Sequence, residues 1–131
     1  MRIQVKDFMS SPVLTATAKN TIGEIRKLMK EKKIHAIPIV QYKKQLPELE
    51  VVIKGIITAS DLNDRIKNNR LVKEFMTKKL HVIHKDSSAK VAANMMIKHD
   101  VHHLVAMENG LVIGMISSLD FVKLVAEHAL D

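Results

Sequence analysis

The sequence predicts an α+β fold in which one strand-helix-strand-strand-helix pattern is used twice, and three observations carry that expectation. Shifted by 67 positions, VKDFM (Val5 to Met9) falls on VKEFM (Val72 to Met76), and IHAIPIV (Ile34 to Val40) falls on VHHLVAM (Val101 to Met107). Shifted by 59, GIITASD (Gly55 to Asp61) falls on GMISSLD (Gly114 to Asp120). Around these blocks the apolar residues alternate between helical spacing and short extended runs. Matched blocks in one order make internal duplication the economical reading. The copies are placed at 1–70 and 71–131, and the eight extra residues of the first copy are assigned to a polar loop at 41–50, QYKKQLPELE.

Each copy opens with an apolar run, VLTAT or LHVIH, read as a strand. A helix follows, with Ile22, Ile25, Leu28 and Met29 on one face in the first copy and Ala89, Ala92, Met95 and Met96 in the second. Thr21 with Glu24 three residues on is a capping box, which fixes the start of the first helix. IHAIPIV and VHHLVAM are the second strands, and VVIKGIIT and LVIGMIS pair with them. Asn109-Gly110 signals a tight hairpin between the last two strands. The closing helices are SDLNDRIKNN and SLDFVKLVAEHAL. At about 60 residues a copy has too little core to stand alone, so the two sheets are expected to pack together into one pseudo-twofold module.

Composition narrows the function. The chain has 131 residues, 47% of them apolar, no apolar run of spanning length and no N-terminal secretory pattern, so the cytoplasm is the expected location with no membrane partner. The absence of cysteine removes disulfides, thiolate metal sites and thiol nucleophiles. A net charge of +7 favours anionic partners, among them phosphate-bearing ligands, nucleic acid and acidic proteins. With one Tyr, three Phe and no Trp, there are few surfaces on which bases could stack.

The twice-used Gly-x-x-Thr/Ser-x-x-Asp stands where a strand hands over to a helix. Unpaired amides at a helix start suit a phosphate, Thr58 adds a hydroxyl, and the ionised Asp61 is an acceptor fit for ribose hydroxyls. Thr-x-x-Asp is equally an N-cap pair, and the two roles can coexist.

The duplicated pattern, the strand IHAIPIV with Pro38, and Gly-Ile-Ile-Thr-x-x-Asp ending in Asp-Leu resemble a tandem pair of CBS domains, a Bateman module, over nearly the whole chain. The resemblance implies two clefts that take adenosine-containing ligands such as AMP, ADP, ATP or S-adenosylmethionine, with no cofactor required, and pairing of modules into disc-shaped homodimers. It implies that Thr58 and Asp61 share a cleft with His102 and His103, and Ser117 and Asp120 one with His35 and Ala36. The aspartates would hold ribose, the hydroxyls would approach phosphate, and Thr15, Ala16, Val82 and Ile83 would edge the adenine, largely through backbone groups. The second copy departs from the pattern with Val105 in place of Pro38, and Ala36 puts no charge where many nucleotide-binding relatives carry a basic residue. The Asp61 side is the favoured cleft, because histidines can meet a phosphate.

Seven histidines raise a metal site. His99 and His103 have ligand spacing only on a common helix, and His103 falls in a strand; His81 and His84 point to opposite faces of an extended run, as do His102 and His103. No metal site is expected. A histidine at the phosphate would make AMP affinity rise as the pH falls from about 8 to 6.5. No phosphate-loop, dinucleotide or nucleophile-elbow motif occurs, so no enzyme activity is expected. The eight methionines, Met29, Met95 and Met96 among them, read as core filler. The resulting expectation is a regulatory nucleotide sensor whose effector is another chain. The alternatives are a basic nucleic-acid-binding accessory protein and a ligand-free dimerisation scaffold.

Overall fold

The computed structural model describes residues 2–11, 13–45 and 48–128. They form two compact units: a central unit, Leu14–Lys79, and a terminal unit made of Met1–Val13 with Leu80–Asp131. These units do not coincide with the copies at 1–70 and 71–131. The Val-Lys-x-Phe-Met segment that heads each copy in sequence packs in the unit built on the other copy. Its valine explains why: Val5 is buried with Ile83, Ala92, Leu104, Ala106 and Ile116, and Val72 with Ile22, Ile25, Ile37, Ile39 and Ile57.

In the terminal unit the leading helix α1, Val5–Phe8, is tied by Val5 N–H to Ser87 O (2.8 Å) and Lys6 N–H to Lys85 O (2.9 Å). In the central unit, the 3₁₀ turn Val72–Glu74 repeats the docking through Val72 N–H to Asn20 O (2.9 Å) and Lys73 N–H to Ala18 O (3.4 Å).

The central unit contains α2, Ile22–Lys32, with Ile22 and Ile25 buried. Thr21 Oγ1 accepts from Glu24 N–H at 3.2 Å while the Glu24 carboxylate accepts from Thr21 N–H at 3.1 Å, the expected capping box. That backbone donor, with help from Asn20 and the Thr21 hydroxyl, holds the Glu24 carboxyl below its ordinary pKa. The strands β1, Ala36–Gln45, and β2, Glu48–Thr58, pair antiparallel.

The terminal unit contains β3, Val82–His84; α3, Ala89–His99; β4, His103–Glu108; β5, Leu111–Ser117; and α4, Ser118–Glu127. Its sheet runs β3-β4-β5, parallel then antiparallel. Asn109 and Gly110, with φ of 52° and 76°, close the hairpin as their residue types predict.

The repeat survives in detail. Both sheets shift register once, between Ile39 and Val40 and between Ala106 and Met107. Both eleven-residue helices end on a left-handed residue, Lys33 (φ 54°) and Asp100 (φ 51°).

Three expectations for the first copy are corrected. The run VLTAT is no strand; only Ala16 bridges to Ile39, because the Thr17 N–H turns away to Asn20 Oδ1 at 2.8 Å. Residues 41–45 and 48–50, expected in a loop, are instead the outer part of the two paired strands, from Val40↔Ile53 to Gln45↔Glu48. Tyr42 opposite Val51 brings strand-favouring residues into that pairing. Leu46 and Pro47 lie outside the described residues.

SDLNDRIKNN, finally, forms no α-helix. A 3₁₀ turn, Ala59–Asp61, is followed by irregular chain. Asn and Asp compete poorly for helix. Arg26 then captures what a helix would have hidden: its guanidinium donates to Ile66 O (2.8 Å), Asn63 O (2.8 Å) and Asn68 Oδ1 (2.6 Å).

Among the described residues no helix is long and apolar enough to cross a membrane.

Candidate functional site

The strand ends place the repeated motif at one corner of each unit. In the central unit Ala36 lies opposite Thr58, and Ala59 N–H donates to His35 O at 2.8 Å. In the terminal unit His103 lies opposite Ser117, and Ser118 N–H donates to His102 O at 3.0 Å. Each Thr/Ser-x-x-Asp is therefore stitched to the strand start of its own copy. The crosswise pairing expected for a shared cleft joins residues of different units. Thr58, Asp61, His35, Ala36, Thr15 and Ala16 belong to the central unit, and Ser117, Asp120, His102, His103, Val82 and Ile83 to the terminal one.

Both aspartates fold back as caps. Asp61 Oδ2 accepts from Thr58 N–H and from Thr58 Oγ1, each at 2.9 Å, and Thr58 Oγ1 lies 2.9 Å from Ser60 Oγ. Asp120 Oδ2 accepts from Ser117 N–H at 2.8 Å, and Asp120 N–H donates to Ser117 Oγ at 3.3 Å. In both corners one carboxylate oxygen is held while the side chain stays only partly buried. The corners differ behind the cap. Ser117 starts a ten-residue helix whose dipole favours an anion, whereas Thr58 starts a turn of three residues with little dipole behind it.

The motif glycine is explained by packing. A Cβ on Gly55 would stand 2.7 Å from Thr77 O, and one on Gly114 would stand 2.5 Å from Met9 Sδ and 3.0 Å from Ser10 O. Thr77 and Ser10 bridge to Ile56 and Met115, the residues next to those glycines. The glycine thus makes room for the Met-Thr or Met-Ser that ends each leading segment.

The other predicted residues sort by exposure. Ile83 and Ala16 point into the cores, so only their backbones can meet a ligand, while Val82 is half exposed. Thr15 Oγ1 lies 3.4 Å from Tyr42 OH. His35 and His102 are exposed and Ala36 is buried. His102 Nδ1 lies 3.2 Å from Ser118 Oγ, which holds the imidazole beside the Ser117–Asp120 cap. His103, one residue on, is partly buried in β4.

Sequence reasoning missed the Arg26 latch and the stacking of His81 on His99, ring centres 3.8 Å apart. An arginine facing Ala93 across the duplication was the one signal for the latch. The stack unites residues eighteen apart and left no local sign. Among the described residues no cluster of three or more His, Asp or Glu could hold a metal.

Comparison with known proteins gives this geometry a family. Residues 5–68 and 72–127 each match the CBS domain. The chain is 31% identical over 126 residues to the uncharacterised protein MJ1232 of Methanocaldococcus jannaschii, covering 95% of this chain and 40% of that one. It is 27% identical over 118 residues to the CBS domain-containing protein YhcV of Bacillus subtilis, covering 86% and 79%. It spans only 40% and 42% of the first two curated relatives it matches. Among solved structures, the CBS domain pair of protein MJ0100, in complex with 5′-methylthioadenosine and S-adenosyl-L-methionine, superposes with a TM-score of 0.79 at 26% identity, covering 97% of this chain and 98% of that one. The hexameric CBS-CP12 protein of bloom-forming cyanobacteria shares the fold with a TM-score of 0.80 at 20% identity, covering 100% and 78%. With two matched domains that fill most of its length, this chain belongs to the CBS domain family and carries the domain as a tandem pair.

Proposed function

We propose that the chain is a regulatory module that binds an adenosine-containing ligand at its Thr/Ser-x-x-Asp corners and reports occupancy through a protein interface. The observation that carries this reading is the corner built twice: a carboxylate pinned by its cap through one oxygen, beside the start of the copy's own strand. Asp61 and Asp120 accept ribose hydroxyls, Thr58 and Ser117 stand toward phosphate, and backbone of Thr15, Ala16, Val82 and Ile83 edges the base. The MJ0100 pair, with its two adenosine compounds, supports that ligand class.

Self-association through α4 belongs to the same proposal. Leu119, Val122 and Val125 are 55%, 62% and 55% exposed, and their spacing puts them on one face of the helix. A second copy would cover that stripe and form a homodimer, and an effector would read the dimer.

A thermal-shift panel tests the ligand reading. At a hundred times its Kd, AMP, ADP, ATP or S-adenosylmethionine would stabilise the fold by about 2.7 kcal/mol. An unchanged melting temperature with all four at millimolar concentration would leave a ligand-free scaffold.

A further inference from the structure

The two corners share a plan and differ in charge. The central unit carries 15 Lys and Arg against 7 Asp and Glu, a net +8, while the terminal unit carries 6 against 7, a net −1; together they make the +7 of the chain. The whole positive excess thus lies in one unit. The sharpest local difference is at the turn feeding each corner. Lys33 and Asp100 occupy the same left-handed position, φ 54° and 51°, two residues before His35 and His102, whose carbonyls anchor the corners. At this position the duplication has reversed the sign, as it has between Lys19 and Asp86 and, in the opposite sense, between Glu31 and Lys98 and between Asp64 and Lys123; of these pairs only Lys33 and Asp100 stand in the turn that feeds the corner. Around it, Lys32 and Lys33 stand in the first copy where His99 and Asp100 stand in the second. The downstream segments add Arg65 and Lys67 with Asp64 in the central unit, and Lys123 with Glu127 in the terminal one.

Resting on the ligand class proposed above, we infer that the corners select by ligand charge: the Thr58–Asp61 corner takes a polyphosphate such as ATP, and the Ser117–Asp120 corner a low-charge adenosine compound, with Lys33 and Asp100 as specificity-determining residues. The physical cause is long-range Coulomb attraction. A net +8 on a unit of this size raises the local concentration of a polyanion and is screened by salt over about 8–10 Å. A ligand without phosphates feels little of that field, and at the other corner the helix dipole that favours an anion is already met by the Asp120 carboxylate capping α4. The three-residue turn behind Thr58 supplies little helix dipole, so the lysines are the main source of positive potential there. Lys33 also sits in a backbone conformation that Asp and Asn tolerate better than Lys does, so its retention costs some stability and exchanging it leaves the fold intact.

The test is calorimetric titration of the full chain with ATP and, separately, with 5′-methylthioadenosine, at 50 and 300 mM salt. The variants are Asp61→Asn, Asp120→Asn, Lys33→Asp and Asp100→Asn, each checked by melting temperature. Asparagine keeps the cap acceptor, which protects the fold. The inference expects ATP affinity to fall with Asp61→Asn, to fall about 5-fold with Lys33→Asp at low salt, and to drop roughly tenfold between the two salt concentrations. It expects 5′-methylthioadenosine to depend on Asp120 and to ignore salt and Lys33. Equal dependence of both ligands on both aspartates, or ATP affinity indifferent to Lys33→Asp, overturns the charge selection and leaves adenosine binding standing. Binding of neither ligand overturns the adenosine reading itself, and this inference with it. A single-stranded oligonucleotide, run as a third titrant, overturns the inference if it binds with steep salt dependence while ATP does not bind, since the lysines would then serve nucleic acid.

Discussion

Replacing Gly55 by alanine puts a methyl group where Thr77 has its carbonyl oxygen, 2.7 Å away, with Met76 Sδ at 3.2 Å. That oxygen cannot swing aside. It accepts from Ile56 N–H at 2.9 Å, while Thr77 N–H donates to Ile56 O at 2.9 Å, so the bridge is fixed from both ends. Relief requires the segment to retreat by several tenths of an ångström, weakening two hydrogen bonds worth about 1 kcal/mol each and adding an overpacking cost of about 1–3 kcal/mol. A loss of roughly 2–3 kcal/mol follows, or a melting temperature lower by about 10 °C. Gly114→Ala should cost less, because the atom met first is the thioether of Met9, which can change rotamer. Urea denaturation followed by circular dichroism compares the two, each with its methionine trimmed, Met76→Ala or Met9→Ala. Trimming should restore part of the loss at Gly114 and little at Gly55. A Gly55→Ala protein as stable as the wild type, or one rescued by Met76→Ala as fully as the terminal unit is by Met9→Ala, would refute the backbone clash.

Arg26→Ala should free residues 62–70, seen as faster amide exchange confined to that segment, and Arg26→Lys should not restore protection, since an ammonium cannot span three acceptors in a fixed fork. Ser117→Ala removes the Ser117 hydroxyl that caps α4 and should cost about 1 kcal/mol by urea titration, with equal protection from exchange at the start of α4 contradicting the cap. Glu24 is depressed in the folded state relative to the unfolded one, so its stabilisation is present above the ordinary carboxylate range and is lost as the pH falls through the folded value. Wild type should therefore exceed Glu24→Gln in stability at pH 7 and converge with it in acid; a gap that persists at low pH would assign the effect to packing.

Much of the fold could be read from residues because the signals were local. The capping box at Thr21 and Glu24, the Asn109-Gly110 turn and the helical spacing of Ala89, Ala92 and Met96 each act within a few positions, and each became the element expected. What escaped depends on distant partners. Thr17 lost its strand to Asn20, 63–68 lost its helix to Arg26, and the docking of each leading segment, through Val5 or Val72, in the unit built on the other copy left no local sign. The polar composition of 41–50 suggested a loop, yet strand pairing satisfies the backbone whatever the side chains. At the site, the choice between cap and ligand contact was open in the sequence, and the geometry gives both aspartates a capping role that still leaves the carboxylates partly exposed.

The most direct measurement is amide chemical-shift mapping of the isotope-labelled full chain titrated with ATP and with 5′-methylthioadenosine. Saturable shifts centred on Thr58–Asp61 or Ser117–Asp120, abolished by Asp61→Asn or Asp120→Asn respectively, would support adenosine binding at the corners. Saturable shifts centred elsewhere and untouched by both substitutions, or no shifts at millimolar ligand, would contradict it.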